Sequence, residues 1–407
     1  MIVNNVSNHT MKKLPTTVVV LGAVSFFNDI ASDMILPLLP IFLTATLGAG
    51  PAVLGLIEGV AEATASLLKL WAGRLGDAGV GHKRLALTGY SISNIVRPLV
   101  GFAGNWPTVL ALRFADRIGK GIRTAPRDAL LAAAVDASER GRAFGFHRSM
   151  DHAGAMVGPL IASALLALGM GMQDVFLASV VPGALAVLLL AFGVPRDSVA
   201  ALPAIATPPL PPLRWSALDI RLRGLVLASG GLALAAVPEV MLILWLSQSG
   251  VSVVWIPLVW ALAHGIRALV ALPAGRLSDR FGRLPVVLTG WLSRAVLLGC
   301  IPWFTDLTAV IILFLIYAAV TASTEGAERA LIGDVADPAA KGAAFGIYHM
   351  TVGLLALPGA IWFGVVWEML GKETAFLLSA GLTLVMTVWL WHSARQAQKP
   401  PTTSAKG

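Results

Sequence analysis

The sequence contains few charged residues. Asp, Glu, Lys and Arg make up 13% of its 407 residues, whereas soluble globular domains usually contain about 25%. Hydrophobic residues account for 57% of the chain. This balance shows that water is not the main solvent of the chain, and it argues against a soluble enzyme or a soluble binding module.

The sequence also lacks several features that would indicate a cofactor, a metal or a nucleotide. Its single cysteine, Cys300, excludes an internal disulfide and a cysteine-based metal site, and its apolar surroundings predict that it packs in the core. There is no Gly-x-x-x-x-Gly-Lys-Ser/Thr phosphate loop, so a nucleotide-driven pump is not expected. The polar start of the chain and the long first apolar run do not resemble a cleaved signal peptide. We therefore expect no cofactor, and a first apolar run that remains in the membrane.

Long apolar runs recur along the chain from Thr16 to His392. A helix of about 20 residues crosses the roughly 30 Å hydrocarbon core of a bilayer, and no run shows the alternation of a membrane β-strand. The sequence therefore predicts an all-α integral membrane protein with twelve spans. These lie at 16-46, 52-72, 85-104, 107-130, 143-169, 174-194, 224-247, 252-274, 285-304, 307-330, 342-367 and 374-393.

The formal net charge of +8 raises the question of a nucleic-acid partner, and the positions of the cations answer it. Lys and Arg concentrate before the first span and in every second loop, as at Lys12, Arg140, Arg221 and Arg280, whereas the other loops contain only Lys372. Such a distribution marks the cytoplasmic loops of a membrane protein. We expect both termini in the cytoplasm, a location in the cytoplasmic (inner) cell membrane, and no nucleic-acid partner.

The chain consists of two similar halves. Gly73-Arg-Leu-Gly-Asp77 recurs as Gly275-Arg-Leu-Ser-Asp279, and Gly141-Arg-Ala-Phe-Gly145 recurs as Gly342-Ala-Ala-Phe-Gly346, at offsets of about 200 residues. Repeated halves around a central site are typical of transporters. We predict an N-terminal six-helix bundle at 1-195, a proline-rich cytoplasmic linker at 196-222, a C-terminal bundle at 223-394 and a cytoplasmic tail at 395-407.

The repeated loop carries a family resemblance. Gly275-Arg-Leu-Ser-Asp279-Arg280-Phe-Gly282-Arg283 resembles the Gly-x-Leu-x-Asp-Arg-x-Gly-Arg loop of the major facilitator superfamily, and the first-half copy retains Gly73 and Asp77. The resemblance implies twelve helices in two pseudo-symmetric halves, no enzymatic activity, and loops that close the cytoplasmic side. Simple turn residues with topological charge are the alternative.

Two further segments are similar to the proton-coupled antiporters of that family. Gly154-Ala-Met-Val-Gly158-Pro159 in the fifth span resembles their Gly-x-x-x-Gly-Pro pattern, which implies a hinge, although general helix packing is equally compatible with it. Arg113 in the fourth span resembles their arginine only in part, because Gly119 lies two positions too late.

Polar side chains follow the faces of several predicted spans. Each charge in a membrane helix costs about 2.5-3.5 kcal/mol to insert, so such charges mark function or mutual pairing. Asp29 and Asp33 share one face of the first span, and Pro37 removes the backbone donor that would bond the carbonyl of Asp33. We predict that proton coupling and the substrate cavity involve Asp29, Asp33, Arg97, Arg113, Asp116, Arg148 and Asp151, with Asp33 carrying the proton and Arg113 tuning it.

Alternatives to this assignment remain open at the level of sequence. Static ion pairing accounts equally well for other charged residues of these faces, namely Glu58, Glu62, Arg117 and Lys120. A metal shared by His147, Asp151 and His152 is a less favoured possibility. Arg127-Asp128 and Glu328-Arg329, which are related by the same offset, are predicted to be gate partners of the repeated loops.

The function that we predict is secondary active transport of a small molecule by alternating access. Proton-coupled efflux is the leading mode. Uptake of an organic anion or metal chelate, with Arg97, Arg113 and Arg148 as an anion clamp, is the alternative within transport, and a non-transporting membrane sensor or assembly protein is the alternative outside it. The expected partners are the lipid bilayer, the substrate and protons, and we expect a functional monomer.

Overall fold

The computed structural model describes residues 14-77, 81-136, 139-194, 215, 220-336 and 341-396. At positions 69-71, 73-77, 141, 220, 341-343 and 396 it describes the backbone alone. The described chain is helical and contains no strand, so the prediction of an all-α fold is confirmed. The predicted linker at 196-222 falls almost entirely outside the described residues, and the predicted domain boundaries remain a prediction.

The helices are numbered α1 to α12 in chain order. In the N-terminal half they are α1 (Thr16–Asp33, continued by Leu39–Ile41 and Phe42–Thr46), α2 (Pro51–Asp77), α3 (His82–Leu99), α4 (Trp106–Ala133), α5 (Arg140–Ala167) and α6 (Met172–Ala178 with Val180–Gly193). In the C-terminal half they are α7 (Ile220–Ala235 with Glu239–Gln248), α8 (Ile256–Phe281), α9 (Arg283–Cys300), α10 (Leu307–Val335), α11 (Lys341–Leu370) and α12 (Lys372–Gln396).

Nine helices of the described chain are long and apolar enough to cross a membrane. The other three, α1, α3 and α4, fall short, and α3 and α4 carry buried charged side chains. These helices pack against neighbouring helices, which shield their polar faces from lipid. The count of twelve spans therefore remains a prediction.

Two helices are interrupted at equivalent positions in the two halves. α1 ends at Asp33 and resumes at Leu39, and α7 ends at Ala235 and resumes at Glu239. Pro37 and Pro238, which lie 201 residues apart, each remove a backbone donor. The carbonyl of Leu234 accepts a hydrogen bond from Trp362 Nε1 at 2.7 Å, so a neighbouring helix satisfies one of the groups freed by the second break.

α5 packs directly on the backbone of α1. A Cβ atom at Gly158 would lie 2.6 Å from the carbonyl oxygen of Ile30, and one at Gly154 would collide with the carbonyl oxygen of Phe26. Glycine is therefore required at both positions of the predicted packing motif. The role of this segment, including Pro159, as a hinge remains a prediction.

The two ends of the bundle differ. We call the end at which α1 begins and α12 ends the terminal side; Val20 lies there against Gly193, and Ser393 lies against Gly224. The other end is the opposite side. There an apolar cluster joins the two halves, with Phe42 and Leu54 from the first half and Trp245 and Phe376 from the second.

A carboxylate also bridges the halves on the opposite side. Glu368 of α11 accepts a hydrogen bond from the backbone N–H of Ala52 at 2.9 Å. α2 begins at Pro51, so this N–H is one of the donors that a helix start leaves free, and the helix dipole favours an anion there. A Cβ atom at Gly50 would lie 2.7 Å from Glu368 Cδ, so the absent side chain makes room for the carboxylate.

One prediction about the periphery was wrong. Cys300 was expected in the core, but it is exposed at the end of α9. An apolar stretch in a membrane helix faces either the core or the lipid, and composition alone does not separate the two.

We predict that Gly158→Leu destabilises the protein, because the new side chain must displace the α1 backbone. Overpacking of this kind costs about 1-3 kcal/mol, so the melting temperature of the purified protein should fall or the folded yield should be lost. Gly145→Leu is the matched control, because a Cβ atom at Gly145 of the same helix meets nothing within 4 Å. Equal melting temperatures for the two variants would contradict the close contact.

We predict that Glu368→Ala loosens the opposite side. Removing an anion from a helix start at an exposed position such as Glu368 costs about 0.3-1 kcal/mol, so opening should become roughly two- to fivefold more frequent. The readout is the rate at which a hydrophilic maleimide labels Leu54→Cys in a Cys300→Ser background in detergent. Glu373→Ala removes a nearby charge from α12 and should leave the rate unchanged. An unchanged rate for Glu368→Ala would show that this contact does not hold the side shut.

Candidate functional site

A cavity of about 730 Å³ lies between the two halves. Its walls come from α1 to α5 on one side and from α7, α8 and α10 on the other. Arg148, Glu325 and Arg329 line it on the terminal side and are exposed, whereas Trp260 and Ile243 line it towards the apolar cluster of the opposite side. The cavity is therefore accessible from the terminal side and closed at the opposite side.

Charged side chains dominate the cavity lining. Eight are cationic and seven are anionic, so the cavity is close to electrical balance. The cations are Arg97, Arg117, Lys120, Arg123, Arg127, Arg148, Arg267 and Arg329, and the anions are Asp29, Asp33, Glu58, Glu62, Asp151, Glu239 and Glu325. This composition suits a polar solute better than a lipophilic one, because an apolar molecule would leave these charges without partners.

The two aspartates of α1 reach the cavity from the first helix break. Asp33 is 7% exposed, and its Oδ1 accepts a hydrogen bond from Trp260 Nε1 of α8 at 3.4 Å. Asp29 Oδ1 accepts a hydrogen bond from Asn28 Nδ2 at 2.8 Å. The Asp33 contact joins the two halves of the chain at the point where α1 is interrupted.

Buried ion pairs occupy several of the predicted site residues. Arg97 Nε lies 2.9 Å from Asp116 Oδ1, and both side chains are almost fully buried. Arg113 Nη2 lies 3.2 Å from Glu58 Oε2, and Arg113 Nη1 lies 3.6 Å from Asp116 Oδ2. Arg113 and Asp116 are not among the lining residues of the large cavity. They line a small separate pocket with Ser32 and Arg97, and they belong to a network that ties α2, α3 and α4 together. Their part in proton coupling remains a prediction.

This network bears on two roles predicted for arginines. The charged groups that act on Asp33 include Asp29, Arg97 and Lys120, whereas Arg113 is engaged by Glu58 and Asp116. In this conformation Arg97 and Arg113 are engaged by ion pairs, and the tuning of Asp33 by Arg113 remains a prediction.

Asp151 of α5 is the centre of a second cluster. Its Oδ1 accepts a hydrogen bond from Ser25 Oγ of α1, and its Oδ2 lies 3.6 Å from His147 Nδ1 and 3.8 Å from Arg148 Nη1. Among the residues that the structure describes, no group of three His, Cys, Asp or Glu side chains is placed to hold a metal ion. These contacts indicate that Asp151 joins α5 to α1 beside the cavity.

The sequence interpretation did not select Arg117 of α4 as a site residue, although the structure places it in the cavity wall. It is 7% exposed, and its Nε is buried without a hydrogen-bond partner. A signal for it was present, because Gly121 follows Arg117 after three residues, the spacing that Arg113 lacks. A Cβ atom at Gly121 would collide with Leu68 of α2, so this glycine serves helix packing.

The C-terminal half contributes an ion pair to the cavity. Arg267 Nη2 of α8 lies 2.6 Å from Glu239 Oε1, and its guanidinium carbon lies 5.8 Å from the centre of the Trp260 ring. Glu239 is the first residue of α7 after its interruption, where the helix dipole favours an acid. The break in α7 thus places its acid in the cavity, as the break in α1 does.

The predicted gate residues have other partners in this conformation. Arg283 Nη1 lies 2.6 Å from Asp334 Oδ2 and donates a hydrogen bond to the carbonyl oxygen of Ala330 at 2.7 Å. Gly282 has a φ of +93°, which glycine adopts readily and which allows the tight turn between α8 and α9. This turn is therefore anchored on the end of α10.

The remaining gate partners bond to residues of their own half. Arg127 pairs with the adjacent Asp128 at 2.8 Å, and Glu328 accepts a hydrogen bond from Trp291 Nε1 at 2.6 Å. Arg329 pairs with Glu325. Since the cavity is accessible from this side, contacts between the halves are not expected here in this state.

The repeated loops are only partly described. Asp279 and Arg280 are exposed, and a Cβ atom at Gly275 would meet nothing within 4 Å. Gly73 and Asp77 belong to α2. The structure describes only the backbone there, so the surroundings of their side chains fall outside what it describes. Their gating roles remain a prediction.

Comparison with known proteins agrees with this architecture. The family model of the Major Facilitator Superfamily matches residues 21–271 and 266–407. The chain is 27% identical over 393 residues to the uncharacterized MFS-type transporter MJ1317 of Methanocaldococcus jannaschii, covering 93% of this chain and 95% of that protein. It is 30% identical over 338 residues to the uncharacterized protein Rv2265 of Mycobacterium tuberculosis, covering 80% of each. The multidrug resistance protein MdtG of Escherichia coli is 24% identical, covering 92% of this chain and 93% of that protein.

Solved structures share the fold at low sequence identity. The nucleoside transporter NupG superimposes with a TM-score of 0.73 at 15% identity and covers 93% of this chain and 99% of that one. A bacterial homolog of the human lysosomal transporter Spinster, in an inward-facing and occupied conformation, superimposes with a TM-score of 0.75 at 15% identity and covers 94% of this chain and 98% of that one. The all-helical architecture, the charged cavity between the halves and the family match lead to one conclusion: the chain belongs to the Major Facilitator Superfamily of membrane transporters.

Proposed function

We propose that the protein is a proton-coupled exporter of a small polar solute, working by alternating access in the cytoplasmic membrane. The observation that carries this proposal is the charged cavity, which is lined by both halves, accessible from one side and closed at the other. Such a cavity can expose its contents to either face of the membrane when the halves rock about it.

The orientation follows from the distribution of charge. At the helix ends, Lys and Arg concentrate on the terminal side, as at Arg84, Arg140, Arg223 and Arg283, whereas the opposite side has Lys372. The side of a membrane protein that is rich in Lys and Arg remains in the cytoplasm. The terminal side is then cytoplasmic, and the described conformation is open to the inside. A solute to be exported would enter at the mouth beside Arg148 and Arg329.

Asp33 is the proposed proton carrier. It is buried at the break in α1, and its hydrogen bond to Trp260 reaches the other half of the protein. Around it are the anionic Asp29 of its own helix, the cationic Arg97 of α3, and the cationic Lys120 and Arg117 of α4. Protonation would remove one negative charge from this group and change its attraction to α3 and α4. The proton could therefore bias the position of α1 relative to its neighbours.

Two observations favour export as the direction of transport. The glycine and proline pattern of α5 resembles that of proton-coupled antiporters, and MdtG, a distant relative, is a multidrug resistance protein. The balanced charge of the cavity favours small polar solutes as cargo. Uptake is the competing direction, and the proton measurement below separates the two by the sign of the proton movement.

We predict that Asp33→Asn abolishes proton movement that is coupled to solute. Proteoliposomes loaded with a pH-sensitive dye are exposed to a panel of amino acids, monocarboxylates and amino sugars, and the solute that triggers proton movement is then used in radiolabelled counterflow. Because counterflow exchanges solute for solute without a gradient, Asp33→Asn should retain it.

Glu325→Gln is the control for this prediction. It neutralises a cavity carboxylate at the exposed mouth, where Glu325 pairs with Arg329, and it should retain both proton movement and counterflow. Wild-type proton movement in Asp33→Asn would refute the assignment of the carrier.

A further inference from the structure

We propose that Arg117 binds the carboxylate group of the transported solute. This inference rests on the proposed transport function and assigns a solute chemistry to its cavity. The side chain of Arg117 is more than nine-tenths buried and lines the cavity. Among the residues that the structure describes, no hydrogen-bond or ion-pair partner is present for Arg117.

Burying an arginine without a partner is costly. The guanidinium carries five N–H donors in a rigid fork and remains charged at all physiological pH values. Removing it from water without acceptors carries a desolvation penalty that a bound acceptor offsets. The unsatisfied donors of Arg117 therefore identify a place where a ligand oxygen is favoured.

Other buried arginines of the cavity wall have protein partners. Arg97 pairs with Asp116 at 2.9 Å. Arg123 donates a hydrogen bond to Ser93 Oγ at 2.7 Å and stacks on Tyr90. The protein thus supplies partners for Arg97 and Arg123. Arg117 differs from them, because its Nε has no hydrogen-bond partner.

The charges around Arg117 restrict the ligand. Four carboxylates act on it electrostatically, those of Glu58, Asp116, Glu62 and Asp33, but none is within ion-pair distance. They offset the charge of Arg117 and would repel a multiply charged phosphate. A single carboxylate matches the planar fork of the guanidinium and adds one negative charge only. The geometry therefore favours a solute that carries one carboxylate and is either monoanionic or zwitterionic.

This assignment replaces the anion clamp expected from the sequence. Arg97 forms an ion pair with Asp116, and Arg113 forms one with Glu58. The side chain of Arg148 is 60% exposed at the mouth, beside Asp151. Arg117 lies one helical turn from Arg113 on the same helix, and it retains the binding capacity that the pattern had suggested.

Benzoate and its neutral isostere benzamide are suitable probes, because they differ mainly in the carboxylate. Ala268 lines the cavity on α8, and Ala268→Cys in a Cys300→Ser background reports on occupancy through its rate of alkylation by a neutral maleimide. We expect millimolar benzoate to slow the reaction in otherwise wild-type protein, and benzamide at the same concentration to have no effect.

Substitutions at Arg117 test whether this side chain binds the carboxylate. Arg117→Gln should weaken protection by benzoate about tenfold or more, as expected for loss of a hydrogen bond to a charged group. Arg117→Lys keeps the charge but loses the bidentate fork, and it should show intermediate protection. Arg395→Gln removes an equal charge outside the cavity, where Arg395 lies over the ring of Trp391, and it should retain full protection.

Three results would overturn the inference: equal protection by benzoate and benzamide, protection by neither, or unchanged protection in Arg117→Gln. The binding readout is independent of proton movement. Protection that depends on Arg117, without solute-coupled proton movement, would leave this inference standing and refute the proposed exporter. Proton coupling with an uncharged solute would do the reverse.

Discussion

A charge inside a membrane protein needs a compensating charge, and the N-terminal half of this protein is built around that constraint. Arg97 and Asp116 join α3 to α4, and Arg113 and Glu58 join α4 to α2. Breaking one member of such a pair would leave the other as an uncompensated buried charge, at a cost of about 3-5 kcal/mol. The pairs therefore hold α2, α3 and α4 together, and these three helices form part of the cavity wall.

The same constraint divides the arginines of α4 between two roles. Arg113 pairs with Glu58 and Asp116, and Arg117, one turn further on, lines the cavity. Gly119 and Gly89 allow α3 and α4 to approach closely, because a Cβ atom at Gly119 would lie 2.6 Å from the carbonyl oxygen of Gly89. Close backbone contact and ion pairing thus act together to fix the position of α4 beside the cavity.

The sequence was sufficient to predict the helical fold, the two related halves and the polar face of α1. These depend on hydrophobic length, repetition and helical periodicity, which are local or regular properties. Arg113 and Arg117 share one face of α4, so the sequence could not show which of them has a protein partner and which lines the cavity, because this depends on contacts with distant residues at each depth of the bundle. The break in α7 was also missed, although the spacing of Pro37 and Pro238 repeats the offset of the halves. The partners of Glu328 and Arg283 depend on side-chain contacts between helices, which periodicity does not specify.

The contact between Glu368 and Ala52 has an unusual consequence for sequence variation. The donor is a backbone N–H at the start of α2, and every residue except proline supplies one. The acceptor is a side chain, so it is encoded at position 368 alone. Substitutions at position 52 can therefore accumulate without loss of the donor, whereas position 368 is free to vary only if another acceptor reaches the same helix start. At this contact between the halves, position 368 of α11 is constrained in sequence, whereas position 52 of α2 can vary.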